Sequence, residues 1–152
     1  FNSSGLNASV YNIDGIRIIP KENWNNQLCP RVKGTAKGQA FICAVAHMNL
    51  ANQAAKTRQA VIEECDGGLL KIVLPIFADD QYVGAVGGCG LLAEDGEVDS
   101  FMINKTTEID EEEIEALAQT VGRLSREKAE QVAAMIARRI AQIVDDYQRR
   151  HK

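Results

Sequence analysis

Histidine, tryptophan and proline are scarce in this chain: two, one and three residues among 152. So few imidazoles give little support to a Cys–His or Ser–His hydrolase, and no local sequence points to a particular one. Nowhere is there an apolar run of about eighteen residues, so nothing in the sequence reads as a membrane span. The start, Phe1-Asn2-Ser3-Ser4-Gly5, has neither a charged n-region nor an apolar h-region and is not a signal peptide. It lacks an initiating Met and reads as a domain excised from a longer chain. A net charge of −4 does not favour DNA or an anionic membrane. Arg138-Arg139 and Arg149-Arg150 have no interleaved aromatic residues, so they read as the outer face of a helix rather than a nucleic-acid patch. No Gly-Lys-Ser/Thr sequence occurs, which excludes a P-loop, and no Cys-x-x-Cys pair, which removes the zinc-finger signature.

What is present is a large apolar fraction, 45%, in a length that makes one globular domain with a real core. The chain is organised around Leu69 to Leu92, two apolar runs joined by Ala78-Asp79-Asp80-Gln81. Aspartates tolerate unusual backbone angles, so this pattern predicts a β-hairpin at the middle of an antiparallel sheet. The second run carries Gly84, Gly87, Gly88 and Gly90. Glycine in a strand marks a bulge or a close approach by a ligand or another backbone. Gly88 to Ala93 formally fits G-x-G-x-x-G/A, but Glu94-Asp95-Gly96-Glu97 follows where a dinucleotide site needs a helix.

Around the hairpin, residues 1–7 read as a polar tail. Ala8–Ile13 and Ile16–Ile19 flank Asp14-Gly15 as two short arms. Residues 21–28, with three asparagines around Trp24, read as loop. Arg31–Gly38 is a basic loop or short helix. Ile42, Val45, Ala46, Leu50, Ala54 and Ala55 keep one face, predicting a helix over 43–59. Val61–Glu64 is a short strand. Val98–Asn104 reads as a last strand or packed loop. Asp110 and Glu113 fit a capping box, with Ile114, Leu117, Ala118, Val121 and Leu124 as the buried stripe of the helix they start. Ala129, Ala133, Ile136, Ile140, Ile143 and Tyr147 alternate steps of four and three, either a dimer seam or one amphipathic helix packed on the sheet. Gly122 and Ser125 separate or bend these two helices. The fold class is therefore α+β: a central antiparallel sheet with helices on one side, close to PAS and GAF architectures, plus a long C-terminal helix. Residues 1–108 are expected to form the α/β core and 109–152 a helical segment that packs on it, dimerises, or both.

The four cysteines, at positions 29, 43, 65 and 89, each fall at an element boundary or beside glycine or proline. Such positions leave the backbone free to aim a thiol at a common point, so a four-thiolate site for zinc or an iron–sulfur cluster is one reading. Buried cysteines acting as small hydrophobes are the other. Without a secretory signal, a reducing cytoplasm and free or metal-bound thiols are expected. His47 lies four residues after Cys43, on the same helix face; it reads as a satisfied structural histidine or as a ligand. Glu63-Glu64 and Glu111–Glu113 read as solvated faces.

These motifs, taken in order, resemble the PocR sensory domain, a ligand-binding module of bacterial transcription regulators and sensor kinases. The resemblance rests on Leu28-Cys29, Cys43, Cys65-Asp66-Gly67-Gly68-Leu69, Leu74-Pro75-Ile76, Tyr82-Val83-Gly84 and Gly87-Gly88, and runs from about Asp14 to Glu97. Two positions depart from the family pattern: Asp66 stands where members usually have His, and Cys89 where they usually have Gln. The resemblance implies a domain that senses small organic compounds such as diols. On that basis the chain is expected to be a non-catalytic sensor. Trp24, Cys65, Asp66, Gly88, Cys89 and Phe101 are its candidate pocket residues, Trp24 or Phe101 serving as lid. The C-terminal helix would pass the signal to an output domain or a homodimer partner. A metal or redox sensor built on Cys29, Cys43, Cys65 and Cys89 is the alternative, and a small thiol-dependent enzyme the third reading.

Overall fold

The computed structural model of the chain describes residues 4–152. The predicted central hairpin is formed by β3 (Leu70–Ala78) and β4 (Gln81–Ala93). Asp79 and Asp80 between them hold φ of 49° and 66°, the left-handed pair that a two-residue hairpin turn needs. β1 (Asn7–Asn12) pairs with β4, and β2 (Val61–Glu64) pairs with β3, all antiparallel. The order is β1-β4-β3-β2, with a two-residue strand β5 (Arg123–Leu124) added in parallel at the end of β4. The protein is α+β, an open sheet with several helices. Of the expected polar tail, residues 1–3 lie outside the described residues, but Leu6 is buried and Asn7 begins β1. After Asp14-Gly15 the chain does turn back: Ile18 N–H donates to Val10 O at 2.9 Å and Asn12 N–H to Ile16 O at 2.9 Å.

Side chains alternate across a strand, and β3 sorts its residues accordingly. Leu70, Ile72 and Leu74 face the long helix α6 (Arg126–Arg150), meeting Ala129, Val132 and Ala133, with Ile136 and Ile140 packed beside them. Val73, and Ala85 of β4, face the other way, onto Leu50, Ala51 and Ala54. Helices therefore cover both faces of the sheet, not one. The reason is the alternation of β3 and β4, which are apolar on both sides.

On the second face lie α1 (Leu28–Lys33), the short α2 (Ala36–Gly38), a π-helical stretch (Gln39–Ala44) and α3 (Val45–Thr57). The helix predicted over 43–59 thus begins inside a π turn and stops at Arg58, whose φ is 58°. Of residues 98–104, expected as a strand or packed loop, Val98 and Asp99 are loop and the rest is helical. Asp99 accepts a hydrogen bond from Met102 N–H at 2.9 Å and caps α4 (Ser100–Thr107). The capping box at Asp110 does not form: Asp110 makes no side-chain cap, and Glu113 instead accepts from Arg31 Nε at 2.8 Å. Three glutamates still sit in the first turn of α5 (Glu111–Ala118), where the helix dipole favours them. Val121 and Leu124 lie beyond α5, and Leu124 sits in β5, so a strand separates α5 from α6 (Arg126–Arg150).

Candidate functional site

β1, β3 and β4 turn one register of side chains toward α3: Asn7 and Tyr11, Lys71, with Leu69 just before β3, and Cys89, which is aligned with both Asn7 and Lys71. Facing them are Ile42, Cys43 and His47, delivered by the π turn and the first turn of α3. A π turn is an irregularity that recurs at functional sites. Between the two layers is a cavity of about 460 Å³, within the range of small-molecule sites. Cys29, Cys43, Cys65 and Cys89 all line it, all four free and half-buried.

The asparagine-rich loop is built into this wall. Asn25 Nδ2 donates to Cys89 O at 3.1 Å, and Asn26 Nδ2 donates to Gly90 O at 2.9 Å. Asn26 Oδ1 accepts from Cys29 N–H at 2.7 Å, which starts α1 and fixes the Cys29 thiol. Gly90 has φ of +102°, and a Cβ there would run into the Asn25 amide, so this position requires glycine. Trp24 lines the cavity with Lys33 Nζ 5.6 Å from its ring centre, and Lys33 is paired with Glu22 at 2.6 Å.

Cys29, Cys43 and Cys65 resist ionisation. Burial pushes Cys29 up from its ordinary 9.0 to about 12, with repulsion from Cys89 adding to it and the Asn26 amide opposing it. Burial pushes Cys43 up to about 11, again reinforced by Cys89 and Cys65. Cys65 is also raised by burial, against the pull of backbone N–H groups at Leu69 and Gly67. His47 moves the other way, down to about 4, because of burial and then the nearby Lys71 and Arg17. It is neutral at pH 7, with its ring 3.8 Å from that of Tyr11.

Of the residues singled out in the sequence, Trp24, Cys65 and Cys89 line the cavity with Cys29 and Cys43. Asp66, Gly88 and Phe101 are outside its lining. Gly88 is on the α6 side of β4, against Leu6 and Ala8, because it pairs with Ile72 rather than Lys71. Phe101 points to solvent from α4, 64% exposed. His47, expected to be a satisfied structural residue, is buried with neither ring nitrogen hydrogen-bonded among the described residues. Sequence reasoning missed Tyr11, Arg17 and Lys71. A lysine inside the apolar run LLKIVLPI was the available signal, since a cation there must occupy one face of a buried strand.

The family model for the sensory domain found in PocR matches residues 1–147. The chain belongs to the PocR sensory-domain family. The match extends well past Asp14–Glu97, where the recognisable motifs lie, and takes in α5 and most of α6. No curated protein and no solved structure matches the chain. A PocR domain is a sensory module, which fits a protein that is not an enzyme. Among the described residues of this PocR domain, no three His, Cys, Asp or Glu side chains are grouped so as to hold one metal ion. No helix among them is long and apolar enough to cross a membrane.

Proposed function

We propose that this domain is a non-catalytic, cytoplasmic sensor that holds a small molecule between its sheet and the π turn leading into α3, and reports occupancy through α6. The observation that supports this is the cavity itself, lined by all four cysteines and set on the face of the sheet opposite the α6 cluster. Signal relay has a short route. Cys89 and Gly90 border the cavity, and Leu91, next in β4, packs in the α6 cluster with Leu70 and Ile72 of β3. A ligand that favours one placement of these strands would bias α6, provided it contacts the two placements differently. From there the change passes to an output domain or to a second copy through the exposed Ile143 and Tyr147, 54% and 56% exposed. Nucleic acid and membrane are not direct partners in this reading.

The convergence of four thiols supports a second reading, in which they hold zinc or an iron–sulfur cluster and the domain senses metal or redox state. Metal binding would have to draw the sulfurs together and displace protons from thiols whose pKa values lie at about 11 to 12. The same raised values disfavour the third reading, a thiol enzyme, because the thiolate is the nucleophile. Mass spectrometry of whatever accompanies the anaerobically purified protein, with metal analysis, separates the readings. An organic occupant with metal below about 0.1 equivalents supports the sensor of small molecules. Stoichiometric zinc or iron would replace it with the second reading.

A further inference from the structure

Lys71 is a cation in the wrong place for a bland core. It is 6% exposed, lies on the cavity face of β3, and makes no salt bridge among the described residues. Its nearest aromatic neighbour is Tyr11, with Nζ 6.0 Å from the ring centre. Glu63, its register partner on β2, is exposed and not within ion-pair distance. Arg17 reaches the same cavity from the turn after β1. Its Nη2 donates to Tyr11 Oη at 3.2 Å, while Nη1 is buried without a partner. His47, 4% exposed, lines the cavity with both ring nitrogens unpartnered.

The acids do not balance this charge. Asp14, at the rim, is the only carboxylate in the lining, and it is solvent-exposed. Lys33, the third cation, already has Glu22. Cys29, Cys43 and Cys65, held protonated by burial, supply no counter-charge. Buried cations and unpartnered donors are costly unless something completes them, and here they converge on one empty volume. Asn7 and Gln39 are polar, but most of the remaining wall is apolar, with Ile16, Trp24, Ile42 and Leu69 and the uncharged sulfurs of Cys29 and Cys43.

We infer that the occupant is a small organic anion, a carboxylate on a short apolar body, with its charged end received by Lys71, Arg17 and His47. This rests on the reading of the cavity as a sensory pocket and names its ligand class. The carboxylate takes charge-assisted hydrogen bonds from the lysine and guanidinium, and a further one from the N–H of neutral His47. The thiols act as a soft apolar wall rather than as ligands.

The test is calorimetric titration of the whole domain with propionate, butyrate and hexanoate, with the matching alcohols and propanediol, and with inorganic phosphate. Lys71→Met and Arg17→Gln are run beside the wild type, with circular dichroism to establish that each is folded. The expected result is binding of at least one carboxylate, tighter than its alcohol, and weakened roughly 10- to 100-fold in Lys71→Met. Lys71→Arg should recover part of that loss. Alcohols or propanediol binding as well as the carboxylates, with no effect of Lys71→Met, would overturn the anion while leaving the pocket reading in place. Phosphate binding in preference to every carboxylate would overturn the organic body. Failure of all probes at millimolar concentration would overturn the assignment to short carboxylates, and the accompanying occupant found by mass spectrometry then judges the pocket independently.

Discussion

The two faces of one sheet have been put to opposite uses. Toward α6, β3 sends Leu70, Ile72 and Leu74 into a continuous cluster with Ala129, Val132 and Ala133, residues small enough to bring the helix close. Toward α3, the same strands send Leu69, Lys71 and, from β4, Cys89 and Gly90 around a cavity. On that side Val73 and Ala85 pack on Leu50, Ala51 and Ala54, and Leu69 joins a second cluster with Leu28, Ile42, Ile103 and Ile114. The difference between adjacent residues of β3 is a difference in purpose. The α6 face is lined by aliphatic side chains, and the other carries a buried cation and an imidazole unpartnered among the described residues. Native interiors rarely retain such features without a functional reason.

The largest way to sharpen the contrast is a pair of truncations. Ile72→Ala, on the packed face, should lower unfolding free energy by about 2–5 kcal/mol in a denaturant titration. Cys43→Ala, at the cavity wall, should change it by less than about 1 kcal/mol, because the volume removed only enlarges existing space. Equal losses at the two sites would break the comparison. Next, Lys71→Met should stabilise the empty domain by about 1–3 kcal/mol, since it removes an uncompensated buried charge from a strand. A destabilised Lys71→Met would mean that the lysine is structurally partnered after all.

The pH profile comes third. His47 is held down to about 4 from 6.5 in the folded state, so the unfolded chain takes up its proton first as pH falls. Stability attributable to it is present above about 6.5 and is lost on descent toward 4. Cys29 and Cys43 are raised to about 12 and about 11, so the folded state keeps their protons longer than the unfolded state. That contribution is present below about 9 and is lost as pH climbs toward 11 to 12. Thermal melts should therefore show a plateau between these limits, and His47→Gln should flatten the acidic limb only. The smallest expected effect is Ile143→Asp on the outer turns of α6, within about 0.5 kcal/mol in a monomer. Ile136 and Ile140 are unsuitable for that test, because they already pack on the sheet. A fall in solution mass for Ile143→Asp would show that the exposed end of α6 is a pairing surface.

The hairpin, β2 and the long last helix were legible because their signals are local: aspartates at a turn, β-branched runs, and a repeat on one helix face. α4 was not, because Phe101, Met102 and Ile103 favour a strand by composition, and a single cap at Asp99 outweighed them. Likewise the Asp110–Glu113 box was correct as a pattern, but Glu113 found Arg31, a residue far away in sequence. All four cysteines line one cavity, yet no three are grouped to hold a metal among the described residues, and glycine or proline stands directly beside only Cys29 and Cys89. The cationic end of the cavity was not legible. It depends on which face of β3 Lys71 occupies and on the turn that carries Arg17 back toward Tyr11, and both are set by strand register. Asp66, singled out because it departs from the family pattern, lies exposed in the turn after β2, and Gly88, next to Cys89 on β4, is turned to the α6 side by strand alternation.

The account stands on the cavity face being a binding site while the α6 face is not. Ligand-detected NMR, with the small carboxylates and propanediol as one panel, tests this on Cys43→Phe, which fills the hollow, and on Ile140→Ala, which loosens the opposite face. The expected result is at least one bound compound in the wild type, retained by Ile140→Ala and lost from Cys43→Phe. Binding that survives the filled hollow, or a panel that leaves the wild type silent, would contradict it.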